Sequence, residues 1–201
     1  MALARQSEAR ERKFCAANAI PGNVTIGAES PVDFLPRERL LDAAFGAARF
    51  QKAVERLRTG RLPAEGLALV AKEGGQLVGT LRLWHIRAGA VPALLLGPLA
   101  VAKAFRCRGI GRALMEDALR KAARFGHAAI LLVGDAGYYE PFGFSRHHTL
   151  GLIVPGAVDA KRFLGLELKE GALKSAKGMV IVTGPSGYGA AAQPGQLPRA
   201  A

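Results

Sequence analysis

The sequence predicts a mixed α/β fold, one sheet with both antiparallel and parallel strand pairs flanked by helices. Three observations predict it. Two apolar runs with strand-like patterning flank Gly74-Gly75, which reads as an antiparallel hairpin. Residues 92–101, 109–125 and 128–133 read as strand, helix and strand, a βαβ unit with parallel strands and a right-handed crossover. The composition, 50% hydrophobic and 22% charged over 201 residues, is that of one packed domain and excludes wholesale disorder.

The elements follow in order. Residues 1–30 have little periodicity and read as a flexible N-terminal extension, ahead of a domain over 31–183. A helix is expected from Pro36, whose missing N–H suits a first helical turn; Leu40, Leu41, Ala44 and Phe45 share its face and Gly46 stops it. Phe50, Val54 and Leu57 mark a second helix, ended by Gly60. Strands are expected at 67–71 and 77–87, the latter with Leu81 and Leu83 on one face and Thr80 and Arg82 on the other. Residues 92–101 are nearly all apolar, as in a strand buried on both faces. The helix 109–125 carries Ala113, Leu114, Met115, Ala118, Leu119 and Ala122 on its apolar side. Arg112, Glu116, Arg120 and Arg124 form an exposed row, and Glu116–Arg120 and Asp117–Lys121 are expected ion pairs. Residues 128–133, 150–154, 164–168 and 179–182 read as further strands. Residues 184–201, rich in Gly, Ala and Pro, read as a flexible tail.

The net charge is +12. A solvated basic surface and a polyanionic ligand both account for such an excess. Its distribution favours a local reason, because seven basic residues and only two acidic ones lie between Lys103 and Arg124. Two cysteines, Cys15 and Cys107, cannot make a disulfide framework or a cysteine-rich metal site, which points to a reducing compartment, taken as the cytoplasm. No apolar run is long enough to span a membrane, and no secretory signal is expected.

The chemistry concentrates in three segments. Arg106-Cys107-Arg108-Gly109-Ile110-Gly111-Arg112 joins a buried strand to a helix start, where unpartnered N–H groups and the positive end of the helix dipole meet arginines. A phosphate or pyrophosphate is the natural guest. The spacing matches neither of the two common nucleotide loops. Gly97-Pro98 interrupts the preceding strand, where proline cannot join a central ladder. It reads either as a plain irregularity or as a bulge that parts this strand from 128–133. A bulge would leave backbone groups of Leu99, Ala100 and Val101 for an amide-bearing ligand. Third, Gly134-Asp135-Ala136-Gly137-Tyr138-Tyr139-Glu140-Pro141-Phe142-Gly143-Phe144 follows a parallel strand, at the end where open α/β sheets bind ligands. One of its tyrosines can pack and the other can supply a phenolic proton.

These residues carry a resemblance. Residues 96–144 resemble the GNAT superfamily of acetyl-CoA-dependent N-acetyltransferases. Arg106-x-x-Gly109-x-Gly111 is similar to its pyrophosphate loop, and Tyr139-Glu140-x-x-Gly143-Phe144 to its tyrosine segment ending in Gly-Phe. The likeness extends over about residues 35–183 and is greatest to a bacterial subgroup of predicted acetyltransferases. It implies a largely antiparallel sheet of six or seven strands, with acetyl-CoA held between a central, splayed parallel pair. Leu99, Ala100, Val101, Arg106, Cys107, Arg108, Gly109, Ile110, Gly111 and Arg112 would bind it.

The reaction implied is direct attack of a primary amine on the thioester within a ternary complex, with Tyr139 protonating the departing thiolate. A backbone N–H near Val101 is the expected oxyanion donor, and Cys107 is expected to be a bystander. The general base is not fixed. Asp135 is a candidate by location, and His85 one by sharing the face of Leu81 and Leu83. His127, His147 and His148 read as structural or exposed. Trp84 and Phe45 read as core residues or as walls of the acceptor site. The competing reading is a non-catalytic acyl-CoA-binding or nucleic-acid-associated module, supported by the charge and by the lack of an acid in 92–101. Phe105 is the one aromatic residue in the basic segment, too few for the stacking that single-strand nucleic-acid binding requires, so no nucleic-acid partner is expected. No cluster suits a metal, and no membrane partner is expected. The acceptor and the oligomeric state are left open.

Overall fold

The computed structural model describes residues 22–51 and 53–187. In chain order the strands and α-helices are β1 (Val24–Ala28), α1 (Phe34–Phe45), α2 (Ala53–Arg58), β2 (Ala68–Glu73), β3 (Gln76–Ala88), β4 (Val91–Val101), α3 (Ile110–Arg124), β5 (Ala129–Val133), α4 (Ala136–Tyr139), β6 (Leu152–Ile153), β7 (Phe163–Glu167) and β8 (Gly178–Val182). A 3₁₀ turn, Ala47–Gln51, precedes α2.

The sheet has eight strands in the order β1-β2-β3-β4-β5-β7. β8 pairs with the far end of β3, and β6 with β8. It is mostly antiparallel; β4–β5 and the short β6–β8 contact are parallel. One strand more than the resemblance implies is present. It comes from residues 24–28, which the sequence reading leaves in the extension but which pair along their whole length with β2. As an edge strand β1 is only half-buried, so no clean alternation marks it. The rest of the expected extension and all but residues 184–187 of the expected tail lie outside the described residues.

Two apolar layers cover the sheet. Against one face, α3 buries Ile110, Leu114, Met115, Ala118 and Ala122 on Leu81, Leu83, Leu94, Leu96 and Ile130. Against the other face, Trp84, Ile86, Leu95, Leu131, Phe163, Leu173 and Val180 pack together. Successive residues of β4 therefore serve opposite layers, which is why that strand is a continuous apolar run. A smaller cluster docks Leu40 and Leu41 of α1 on Val70, Leu77 and Ala100. On the outer face of α3 the expected Asp117–Lys121 pair forms at 2.9 Å. Glu116 instead takes Arg112 at 2.7 Å, and Arg120 turns to Asp117 at 2.5 Å. Both alternatives are also one-turn neighbours, so the helix has several equivalent ways to pair this row.

Candidate active site

β4 and β5 pair at only two positions, Leu94↔Ile130 and Leu95↔Leu131. Beyond them β4 bulges. Leu83 faces Leu96 but Leu81 faces Leu99, so β4 uses one residue more than β3 over the same stretch. The bulge falls on Gly97-Pro98, whose Gly97 carbonyl accepts the Trp84 Nε1 proton at 2.6 Å. Where the strands part, a cleft of about 920 Å³ opens. Residues 96–101 form one side, and Val133, Gly134, Asp135, Tyr138 and Tyr139 form another.

The backbone of β4 faces this cleft in a defined way. The Ala102 N–H donates to Val78 O at 2.8 Å, toward β3. By strand alternation, Leu99 and Val101 turn their N–H and C=O groups the other way, into the gap. The Val101 carbonyl there accepts Arg106 Nε at 3.2 Å.

At one end of the cleft lies the start of α3. Cys107 and Gly109 both have positive φ, 62° and 75°, and curl the chain just before the helix. The first-turn N–H groups of α3 have no intrahelical acceptor. Arg106 and Gly111 line the cleft. A Cβ on Gly111 would lie 2.7 Å from the Tyr138 hydroxyl, so glycine lets that phenol lie over the helix start. Most of the other loop side chains have neighbours of their own. Arg108 pairs with Glu73 at 2.6 Å and stacks on Phe105, Arg112 pairs with Glu116, and Ile110 is core. Cys107 is exposed and is not on the cleft wall.

Tyr139 packs edge-on against Tyr138, with ring centroids 4.8 Å apart, and against Phe144 at 5.9 Å. Its ring lies where a Cβ on Gly134 would be, within 2.2 Å, so only glycine fits there. Burial raises the pKa of Tyr138 to about 12, against the opposing charge of Arg112. Burial, with Tyr138 beside it, pushes Tyr139 higher still. Both phenols therefore hold their protons at neutral pH.

Asp135 caps the short α4, accepting the Gly137 N–H at 3.3 Å, and is exposed on the cleft wall. His85 is not on that wall. It stands half-buried beside His127, with ring centroids 5.5 Å apart. Burial, and then His85, lower the pKa of His127. Trp84 is core, and Phe45 lines the cleft. His148 is half-buried with Nδ1 3.8 Å from Glu167 rather than exposed.

Residues 37–144 match the acetyltransferase (GNAT) family. The chain belongs to that family. It is 31% identical over 159 residues to the N-acetyltransferase YhbS of Escherichia coli K12, a protein described as uncharacterized, covering 77% of this chain and 93% of that one. The crystal structure of Escherichia coli YhbS in complex with CoA superposes with a TM-score of 0.68 at 29% identity, covering 83% of this chain and 93% of that one. A GNAT-family acetyltransferase from Brucella melitensis in complex with acetyl-CoA superposes with a TM-score of 0.57 at 25% identity, covering 83% and 97%.

The structure adds cleft residues that the sequence reading misses. Arg49, Glu55, Arg56 and Arg58, from the Ala47–Gln51 turn and α2, and Asp159 and Arg162, from the loop before β7, all line the cleft. Arg58 pairs with Glu55 at 2.5 Å; Glu55 also faces Arg49 at 3.4 Å, and Arg49 pairs with Asp42 at 2.9 Å and with Glu38. Glu38 pairs with Arg37 at 2.6 Å, Arg37 with Glu29, and Glu29 with Arg82. No local motif announces this chain of ion pairs, because its members come from three separate segments. No helix among the described residues is long and apolar enough to cross a membrane.

Proposed function

We propose that the protein transfers an acetyl group from acetyl-CoA to a primary amine by direct attack in a ternary complex. The observation that carries this reading is the parting of β4 from β5 into a cleft lined at the start of α3 by Arg106 and Gly111. The thioester supplies an activated acyl group. The Leu99 and Val101 backbone groups hold the pantetheine amides in the manner of a missing strand, and a Val101-side N–H stabilises the developing oxyanion. The first-turn amides of α3 and the Arg106 guanidinium hold the pyrophosphate. Tyr139, whose proton is held by burial, protonates the departing thiolate. Asp135, exposed on the same cleft wall four residues before Tyr139, receives the amine's proton, directly or through water.

Thiol release from acetyl-CoA over a panel of amines, with calorimetric binding of acetyl-CoA, tests the reading. In Tyr139→Phe we expect kcat to fall about 10²-fold or more while acetyl-CoA binding stays within a few-fold. Turnover undiminished in that variant would remove Tyr139 from the chemistry. Absence of acetyl-CoA binding would remove the whole reading.

A further inference from the structure

We infer that the acceptor amine also carries a carboxylate and that Arg58 is the residue that binds it. This inference rests on the acetyl-transfer reading and names its substrate class.

The side chain of Arg58, the last residue of α2, is only 9% exposed, yet it lies on the cleft wall. A guanidinium has five N–H donors in a planar fork, matched to a carboxylate. Here one terminal nitrogen meets Glu55. Nε has no hydrogen-bond partner, the one buried side-chain polar atom among the described residues of which that is true. Burial lowers the Arg58 pKa, with Glu55 opposing and the charges of Arg49 and Arg82 adding to the effect. A buried cation with an unmade hydrogen bond is held at a cost.

Glu55 does not neutralise the site alone, since it is shared with Arg49. The linked pairs from Arg82 to Arg58 contain four arginines and four carboxylates, so the network as a whole is neutral before Arg162 is added. Arg162 adds a further cation on the cleft wall, its Nε weakly tied to Gly134 O at 3.4 Å, and no carboxylate among the described residues lies within ion-pair distance of it.

The position is also that of the chemistry. A Cβ on Gly97 would lie 2.8 Å from Arg58 Nη1, so the guanidinium rests on the β4 bulge. Its charge is felt by Tyr139. Asp135 and Asp159, exposed on the same cleft, suit the ammonium end of such an acceptor. A cleft with a buried arginine and separate exposed carboxylates matches an amino acid better than an amine with no acidic group.

The test measures acetyl-CoA-dependent thiol release with amino acids against their own carboxamides. We expect kcat/KM at least tenfold higher for the free acids, expressed mainly in KM. In Arg58→Gln that acid-to-amide ratio should collapse toward one. Arg58→Lys keeps the charge but loses the fork, and should retain part of the ratio; its calorimetric acetyl-CoA affinity shows that the fold and cleft persist. Equal or better turnover of the carboxamides, or a ratio unchanged in Arg58→Gln, overturns this inference and leaves the acetyl-transfer reading standing. Acetyl-CoA binding without thiol release to any amine overturns both.

Discussion

Tyr139 keeps its proton because its ring is enclosed by Tyr138, Phe144 and the backbone at Gly134. Charging a phenol in that enclosure costs desolvation, and the neighbouring Arg162 and Arg58 do not offset it. The raised pKa has a definite sign for catalysis. An acid must be protonated to act, so activity that depends on Tyr139 should not decline as pH passes a tyrosine's ordinary value of about 10. We expect kcat, followed up to pH 10 in the range where the protein stays folded, to show no alkaline limb. A limb below pH 10 that disappears in Tyr139→Phe would contradict the burial argument. Tyr139, Arg106 and Gly111, all on the cleft wall, were legible in the sequence because each sits within a few positions of a strand end or helix start, where local backbone geometry dictates what it can face. Arg58 and Glu55 were not. They lie some forty residues before the bulge, and nothing in their local pattern differs from an ordinary charged helix face.

At the scale of elements, α3 both builds the core and aims the loop. Its buried face packs Ile110, Leu114 and Met115 against the sheet, and Ile110 belongs at once to that face and to the loop segment from Arg106 to Arg112. Leu114 is fully buried. Leu114→Ala should therefore destabilise the fold by about 2–5 kcal/mol, the range for such cavities, read from urea unfolding. Loosening of the helix start should weaken acetyl-CoA binding in the same variant. The 3.6-residue period of α3 and the apolar run of β4 were readable because each reports its own burial directly. The edge strand β1 was harder, because it is short and half-exposed and does not repeat its pattern long enough to declare itself. α2 was readable from the spacing of Val54 and Leu57 and the stop at Gly60.

At the scale of the molecule, both apolar layers share the same strands, β3 and β4 above all. Neither layer can come apart without exposing the other, which predicts one cooperative transition. The protein offers a direct probe, since Trp84 is its only tryptophan and lies buried in the layer opposite α3. Tryptophan fluorescence and far-ultraviolet circular dichroism should follow the same curve in urea. Separate midpoints would show that the layers unfold independently.

The sequence by itself determined the kind of elements, the βαβ unit at the centre, and the positions of the arginine- and glycine-bearing helix start and of the tyrosine segment, because each depends on residues close together in the chain. It also placed the break in β4, since a proline in a buried strand has few other meanings. Only the tertiary structure decided how far β4 and β5 separate, which tyrosine surface meets Gly111, and that an ion-paired arginine from α2 lies against the bulge. Those facts depend on packing between distant segments. A charged side chain's partners are chosen by proximity and desolvation in the folded molecule, and neither is written in its neighbours along the chain.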